Sequence, residues 1–92
     1  MTNTVNEKLR NNCQSALETL KKVNDPDTTE LQTKLEWCLG SFDFDKNPVG
    51  LHEFSSVALQ TLKDIKNENP KKVTKKVIDE LEKSISSYEA AR

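Results

Sequence analysis

The sequence predicts a small all-α domain, an antiparallel four-helix bundle built from two helical hairpins. Apolar residues recur at intervals of three and four along most of the 92-residue chain, which is the spacing of an amphipathic helix. Proline with asparagine or aspartate divides the chain at three points, giving four helical segments. A three-helix bundle with one additional short helix is the alternative that this periodicity leaves open.

The first helix is expected over about residues 4–24. Thr4 and Glu7 have the spacing of a capping box, in which each side chain bonds the other residue's backbone N–H. Pro26 disfavours helical geometry in the residue before it, so the helix should end near Asn24. Its apolar stripe consists of Val5, Leu9, Cys13, Ala16, Leu17, Leu20 and Val23.

The second helix is expected over about residues 27–43, with Asp27 and Glu30 as another capping box. Trp37 and Phe44 lie seven residues apart on the flank of its main apolar stripe, which suggests a second neighbour for this helix. The main stripe consists of Leu31, Leu35, Cys38, Leu39 and Phe42.

The third and fourth helices are expected over about residues 48–67 and 70–90. In both cases asparagine stands before proline, as Asn47-Pro48 and Asn69-Pro70, which is typical of an N-cap followed by the first helical residue. The third stripe consists of Leu51, Phe54, Val57, Ala58, Leu62 and Ile65. The fourth consists of Val73, Val77, Ile78, Leu81, Ile85 and Tyr88.

Antiparallel pairing of consecutive stripes gives apolar layers in both hairpins, which favours two helical hairpins over a disordered chain. The first hairpin pairs Leu20 with Leu31, Ala16 with Leu35, Cys13 with Cys38 and Leu9 with Phe42. The second pairs Leu62 with Val77, Ala58 with Leu81, Phe54 with Ile85 and Leu51 with Tyr88.

Composition narrows the function classes. The net charge of −1 does not indicate a general nucleic-acid binder, and the apolar runs are far shorter than the ~20 residues that span a bilayer. The first residues lack the basic and apolar regions of a secretory signal, so we expect a cytoplasmic protein. There Cys13 and Cys38 should be reduced core residues, with a disulfide as the alternative.

Aromatic and acidic residues crowd the end of the second helix, and the candidate partner-binding residues are Trp37, Phe42, Asp43, Phe44 and Asp45. The rings either close the end of the bundle or bind a partner chain or a second copy, as in a homodimer. Asp43, Asp45 and Asn47 also match the opening of a calcium loop. That loop requires glycine and glutamate where Pro48 and Phe54 stand, so we predict turn chemistry here instead.

Six lysines fall within fourteen residues, Lys63, Lys66, Lys71, Lys72, Lys75 and Lys76. The candidate anion-binding residues are Lys71, Lys72, Lys75 and Lys76, because lysines at the start of a helix oppose its dipole and favour an anionic partner. The alternative is a solvated lysine surface, and no nucleic-acid motif accompanies the cluster.

Catalytic patterns are missing from the sequence. His52 is the only histidine, and we find no carboxylate pair, glycine-rich phosphate loop or nucleophile elbow, hence no expected cofactor, metal or small-molecule ligand. The sequence therefore predicts a noncatalytic protein-interaction or self-associating module. The alternative is a polyanion binder using the lysine cluster.

Overall fold

The computed structural model describes the backbone of residues 2–91 and the side chains of residues 5–91. These residues form α1 (Thr2–Val23), α2 (Thr29–Asp45), α3 (Val49–Glu68) and α4 (Lys75–Ala91), with a 3-10 turn at Pro26–Thr28. The predicted all-α four-helix fold is confirmed. The capping box predicted for Thr4 lies outside the described side chains, and α1 already includes Thr4 in its first turn.

The helices run alternately up and down. α1 contacts each of the other three helices and packs most extensively on α4, while α3 lies between α2 and α4. The molecule measures 36 × 22 × 15 Å, and its long axis fits helices of about 20 residues, each ~30 Å long. The two predicted hairpins, α1–α2 and α3–α4, therefore pack through one common core.

Of the residues in the four predicted stripes, all except the exposed Val57 belong to the core or pack against it. Every member of the paired layers is buried or half-buried, with Leu31, Phe54 and Val77 half-buried at the margin. Ion pairs cross both hairpins, from Lys21 to Glu36 at 2.8 Å and from Lys63 to Glu82 at 3.2 Å. These contacts join the two helices of each predicted hairpin.

The connection between α1 and α2 differs from the prediction, since Asp25 rather than Asp27 provides the cap. The Asp25 carboxylate accepts a hydrogen bond from the backbone N–H of Asp27 at 2.9 Å, and Pro26 opens the 3-10 turn. The buried Thr28 donates its hydroxyl to the Asp25 carbonyl at 2.8 Å. α2 consequently begins at Thr29, two residues later than expected.

The connection between α2 and α3 is stabilised by the turn chemistry that the sequence predicted. Asp45 accepts a hydrogen bond from the backbone N–H of Asn47 at 2.9 Å, and Asn47 accepts one from the N–H of Val49 at 3.1 Å. Lys46 has a left-handed backbone, φ 62°, and ends α2. The side chains of Asp45 and Asn47 therefore accept hydrogen bonds from backbone N–H groups within a tight connection.

The predicted start of α4 at residue 70 is wrong, because the chain turns for five more residues. The N–H of Lys72 donates to the carbonyl of Asn69 at 3.0 Å, which closes a turn instead of a helix. This turn places Val73 in the core, fully buried. Thr74 then accepts the N–H of Val77 at 3.4 Å, and α4 begins at Lys75. The turn that buries Val73 therefore occupies the residues at which Asn69-Pro70 predicted a helix start.

Candidate protein contact face

The second helix is apolar on two opposite sides. Its inner side contributes Leu35, Cys38, Leu39 and Phe42 to the core. Its outer side carries Trp37 and Phe44, which are 73% and 92% exposed. Large apolar side chains grouped on one side of a helix are normally covered by a neighbour, so the outer side of α2 has the character of a surface that another molecule covers.

The structure divides the three predicted contact rings. Phe42 is only 3% exposed, so its prediction as a partner-binding residue is corrected: it lies on the inner side of α2, four residues after Cys38. The Lys46 ammonium lies 5.5 Å from the centre of its ring. Of the three rings, Phe42 alone is part of the core, and Trp37 and Phe44 remain on the surface.

Two valines of α3 extend the exposed apolar surface. Val49 is 62% exposed and Val57 is 48% exposed, and they lie eight residues apart on one side of α3. Within residues 5–91, the exposed large apolar side chains are Trp37, Phe44, Val49 and Val57, which we call the contact face. The sequence missed Val49 and placed Val57 in the core. Their eight-residue spacing is the signal that could have found the pair.

Shallow cavities line the seam between α2 and α3. One of about 250 Å³ lies beside Trp37 and is bounded by Ser41, Asp45, Val49 and Gly50. Another of about 360 Å³ lies one or two turns further along the seam, against Leu31, Phe54 and Val57, where Lys34 sits 5.6 Å from the ring of Phe54. The contact face therefore has depressions as well as protruding side chains, which suits a partner that inserts side chains of its own.

The two predicted acidic residues serve the fold. Asp43 forms a two-pronged ion pair with Arg10 of α1, with both N–O distances 3.1 Å. The hydrogen bond from Arg10 holds the pKa of the Asp43 carboxyl below its usual value. Asp45 is the turn acceptor described above. Glu53, which lies between Val49 and Val57 on α3, is an exposed acid that the sequence analysis did not select.

The two cysteines are free, buried core residues, as the first of the two interpretations predicts. Burial raises the pKa of the Cys13 thiol to about 12, and it also raises the pKa of Cys38. A thiol with a raised pKa is a poor nucleophile at neutral pH because little of it is thiolate. The Cys13 sulfur lies 3.9 Å from the carbonyl oxygen of Leu51, a contact between α1 and α3.

The lysine cluster occupies the opposite end of the bundle from Phe44. Lys71 and Lys72 lie on the turn before α4, whereas Lys75 and Lys76 lie in its first turn, and all four are exposed. Lys66 holds this turn by donating to the carbonyls of Pro70 and Val73. A cavity of about 640 Å³ beside the turn is lined by acidic as well as basic groups, among them Asp64, Asp79 and Glu82. That mixed lining does not select an anion.

His52 joins α3 to α4. Its Nε2 lies 3.1 Å from a carboxylate oxygen of Glu89, and its ring lies 4.8 Å from that of Tyr88. Within the part of the chain that the structure describes, histidine, cysteine and acidic residues form no group of three that could hold a metal ion. The arrangement around His52 is that of a contact between helices.

Comparisons of this chain with protein-family models, curated proteins and solved structures found no match. Among the helices of residues 2–91, none has both the length and the apolar character needed to cross a membrane. The function is therefore inferred from the exposed residues of the bundle.

Proposed function

We propose that this protein is a noncatalytic interaction module that binds another protein chain through the contact face. The observation that carries the proposal is the exposure of Trp37, Phe44, Val49 and Val57 on the neighbouring helices α2 and α3, where Trp37 and Val49 border one cavity and Val57 borders another. Tryptophan is among the residues that contribute most to binding when covered by a partner. A grouped set of exposed large apolar residues is typical of a surface that another molecule covers.

Several features support a noncatalytic role. Two buried thiols and the Arg10–Asp43 pair have displaced pKa values, and each displacement has a structural explanation. The cavities along the contact face are shallow, and several of the charged groups that line them have structural partners, since Glu30 pairs with Lys34 and Asp45 accepts a backbone N–H. Free thiols fit a reducing compartment, so the cytoplasm is the proposed location.

Site-specific photo-crosslinking in the host cell tests this proposal. Phe44 is replaced by a photoreactive phenylalanine analogue, and the matched control carries the same analogue at the exposed Glu80 of α4. We expect one defined crosslinked protein from position 44 that position 80 does not give, and loss of that product when Trp37 is changed to alanine. Equal products from both positions would contradict the proposal.

The oligomeric state separates a foreign partner from a second copy. Trp37 is the single tryptophan, so its fluorescence reports directly on the contact face. Light scattering after size-exclusion chromatography at low and high salt, together with Trp37 emission over a range of protein concentrations, measures self-association. A salt-resistant dimer with a blue-shifted Trp37 emission identifies a second copy as the partner.

Polyanion binding is the second candidate function. The observation that favours it is the fixed turn, since the bonds from Lys66 to two backbone carbonyls hold the segment that carries Lys71 and Lys72. Titration with a nucleic-acid oligonucleotide tests it. Binding that weakens steeply with salt and is lost when Lys71, Lys72, Lys75 and Lys76 are replaced by glutamine is the expected result, because released counterions drive such binding.

A further inference from the structure

We infer that the partner seated on the contact face is an amphipathic α-helix with a basic polar side, crossing α2 at Gly40. The inference rests on the proposed function and gives the partner its shape and charge. It rests on three observations. Packing within this chain does not require a glycine at position 40, the two exposed rings have the spacing of a helix diameter, and acidic residues lie around them.

Gly40 lies in the interior of α2, where glycine is among the least favourable residues. A Cβ placed on it would meet nothing within 4 Å, so packing within this chain does not require a glycine. The other glycine differs, because a Cβ on Gly50 would lie 3.2 Å from the sulfur of Cys38. Gly50 thus allows α3 to approach α2, and Gly40 offers an equally close approach to a chain outside the bundle.

The two rings frame this approach. Gly40 is three residues after Trp37 and four before Phe44, so all three lie on the outer side of α2. Seven residues of helix separate the rings by ~10.5 Å along the axis, which matches the ~10 Å diameter of a helix with its side chains. Packed helices lie ~8–10 Å apart, and the closest approaches need a small residue at the crossing point. A helix crossing at Gly40 therefore contacts one ring on each side.

The charges near the contact face indicate whether the partner helix is basic or acidic. Residues 25–56, which form α2, the start of α3 and their connections, contain seven acidic and two basic side chains. Three of these acids are in ion pairs, Glu30 with Lys34, Glu36 with Lys21 and Asp43 with Arg10. Asp45 and Glu53 are exposed beside the apolar residues, and the second basic residue of this range, Lys46, lies over the ring of Phe42. A basic helix complements this surface, and complementary charge guides both encounter and register.

The same charges disfavour a second copy of this chain. A symmetric dimer centred on Gly40 would place Trp37 of each copy against Phe44 of the other. It would also gather two acidic surfaces, each with Asp45 and Glu53, around one apolar centre, and like charges facing each other oppose association. The favoured occupant is therefore a foreign basic helix.

Synthetic peptides test the inference on the intact protein. The probe is a peptide of about 18 residues, five helical turns, with leucine at three- and four-residue spacing and lysine elsewhere. The matched control keeps the leucines and replaces each lysine by glutamate. We expect the lysine peptide to shift Trp37 emission to the blue and to bind at least about tenfold more tightly than the glutamate peptide, with part of that preference lost in high salt.

Gly40→Gln provides the decisive variant. Glutamine is a far better helix former than glycine, so the midpoint of thermal unfolding should rise, yet its side chain fills the crossing point and should weaken lysine-peptide binding at least about tenfold. Ser86→Gln on the exposed side of α4 is the matched control and should leave binding unchanged.

Three results would overturn the inference. Equal affinity of the two peptides would contradict the inferred basic character of the partner. Unchanged binding to Gly40→Gln would contradict the inferred crossing at Gly40. A salt-resistant dimer without peptide would assign the contact face to a second copy. Position-specific crosslinking at residue 44 can still succeed in the first two cases, which separates failure of this inference from failure of the proposed function.

Discussion

The α1 and α4 helices differ from the α2 and α3 helices in what they leave on the surface. α1 and α4 bury one apolar stripe each and form the most extensive helix contact in the bundle. Along residues 5–91, the exposed large apolar residues belong instead to α2 and α3. Folding therefore buries the large apolar residues of α1 and α4, whereas α2 and α3 keep large apolar residues that folding leaves exposed.

This comparison predicts a clear division between stability and binding. Leu81 of α4 is fully buried, so Leu81→Ala should lower the free energy of unfolding by ~2–5 kcal/mol through lost burial and a residual cavity. Phe44→Ala removes a ring of similar apolar content from the surface of α2 and should change stability by less than ~0.5 kcal/mol.

Urea unfolding followed by circular dichroism measures both variants. Trp37 emission is unsuitable as the only probe here, because that side chain is already exposed in the folded protein. A loss of several kcal/mol in Phe44→Ala would show that the ring is covered within the bundle and would break the comparison.

Alkaline pH should lower the free energy of unfolding through the buried Cys13 of α1. Burial raises the pKa of Cys13 to about 12, so the folded state keeps this proton while the unfolded state loses it near an ordinary thiol pKa of ~8.5. The raised pKa therefore gives stability that is complete below the unfolded value and is lost as pH rises toward about 12.

Unfolding experiments at pH 7 and pH 10 measure this loss. Cys13→Ala in the same pair of experiments is the control, and its stability should fall less between the two pH values. Equal falls in the variant and the parent chain would show that the thiol does not cause the pH dependence.

The two glycines, Gly40 of α2 and Gly50 of α3, should respond differently to replacement by alanine. Gly40→Ala should raise the free energy of unfolding by ~0.5–1 kcal/mol, because alanine favours the helix and its methyl group meets open space. Gly50→Ala should gain less or lose stability, since its methyl group would lie 3.2 Å from the Cys38 sulfur. Thermal unfolding of both variants ranks them. A larger gain for Gly50→Ala would contradict this account of the two positions.

The Arg10–Asp43 pair gives the smallest expected effect, because both side chains reach solvent. The lowered pKa of Asp43 supplies stability above the unfolded value of ~3.9, and this is lost as pH falls through the folded value. Asp43→Asn should therefore be slightly less stable than the parent chain at pH 7, and the difference should be smaller at pH 2. Urea midpoints at both pH values test this, and an undiminished difference at pH 2 would count against it.

The sequence predicted the four helices, the all-α fold and most of the core because amphipathic spacing is a property of each helix alone. It misplaced the start of α4, since the burial of Val73 depends on how the turn packs against the other helices. It also misjudged Val57, which lies at the edge of its stripe, where the rotation of α3 against α2 decides exposure. Phe42 shows that position on the helix predicts burial better than residue type does.

The contact between α1 and α4 has a practical consequence for protein engineering. Because the helices alternate in direction, the beginning of α1 and the end of α4 lie at the same end of the bundle. A linker between the start of α1 and the end of α4 would join these two helix ends, and a cut in the exposed turn at residues 70–72 would open the chain there. Such a permuted chain would have its termini at the far end from Phe44, where a fused domain or a surface attachment leaves the exposed rings free.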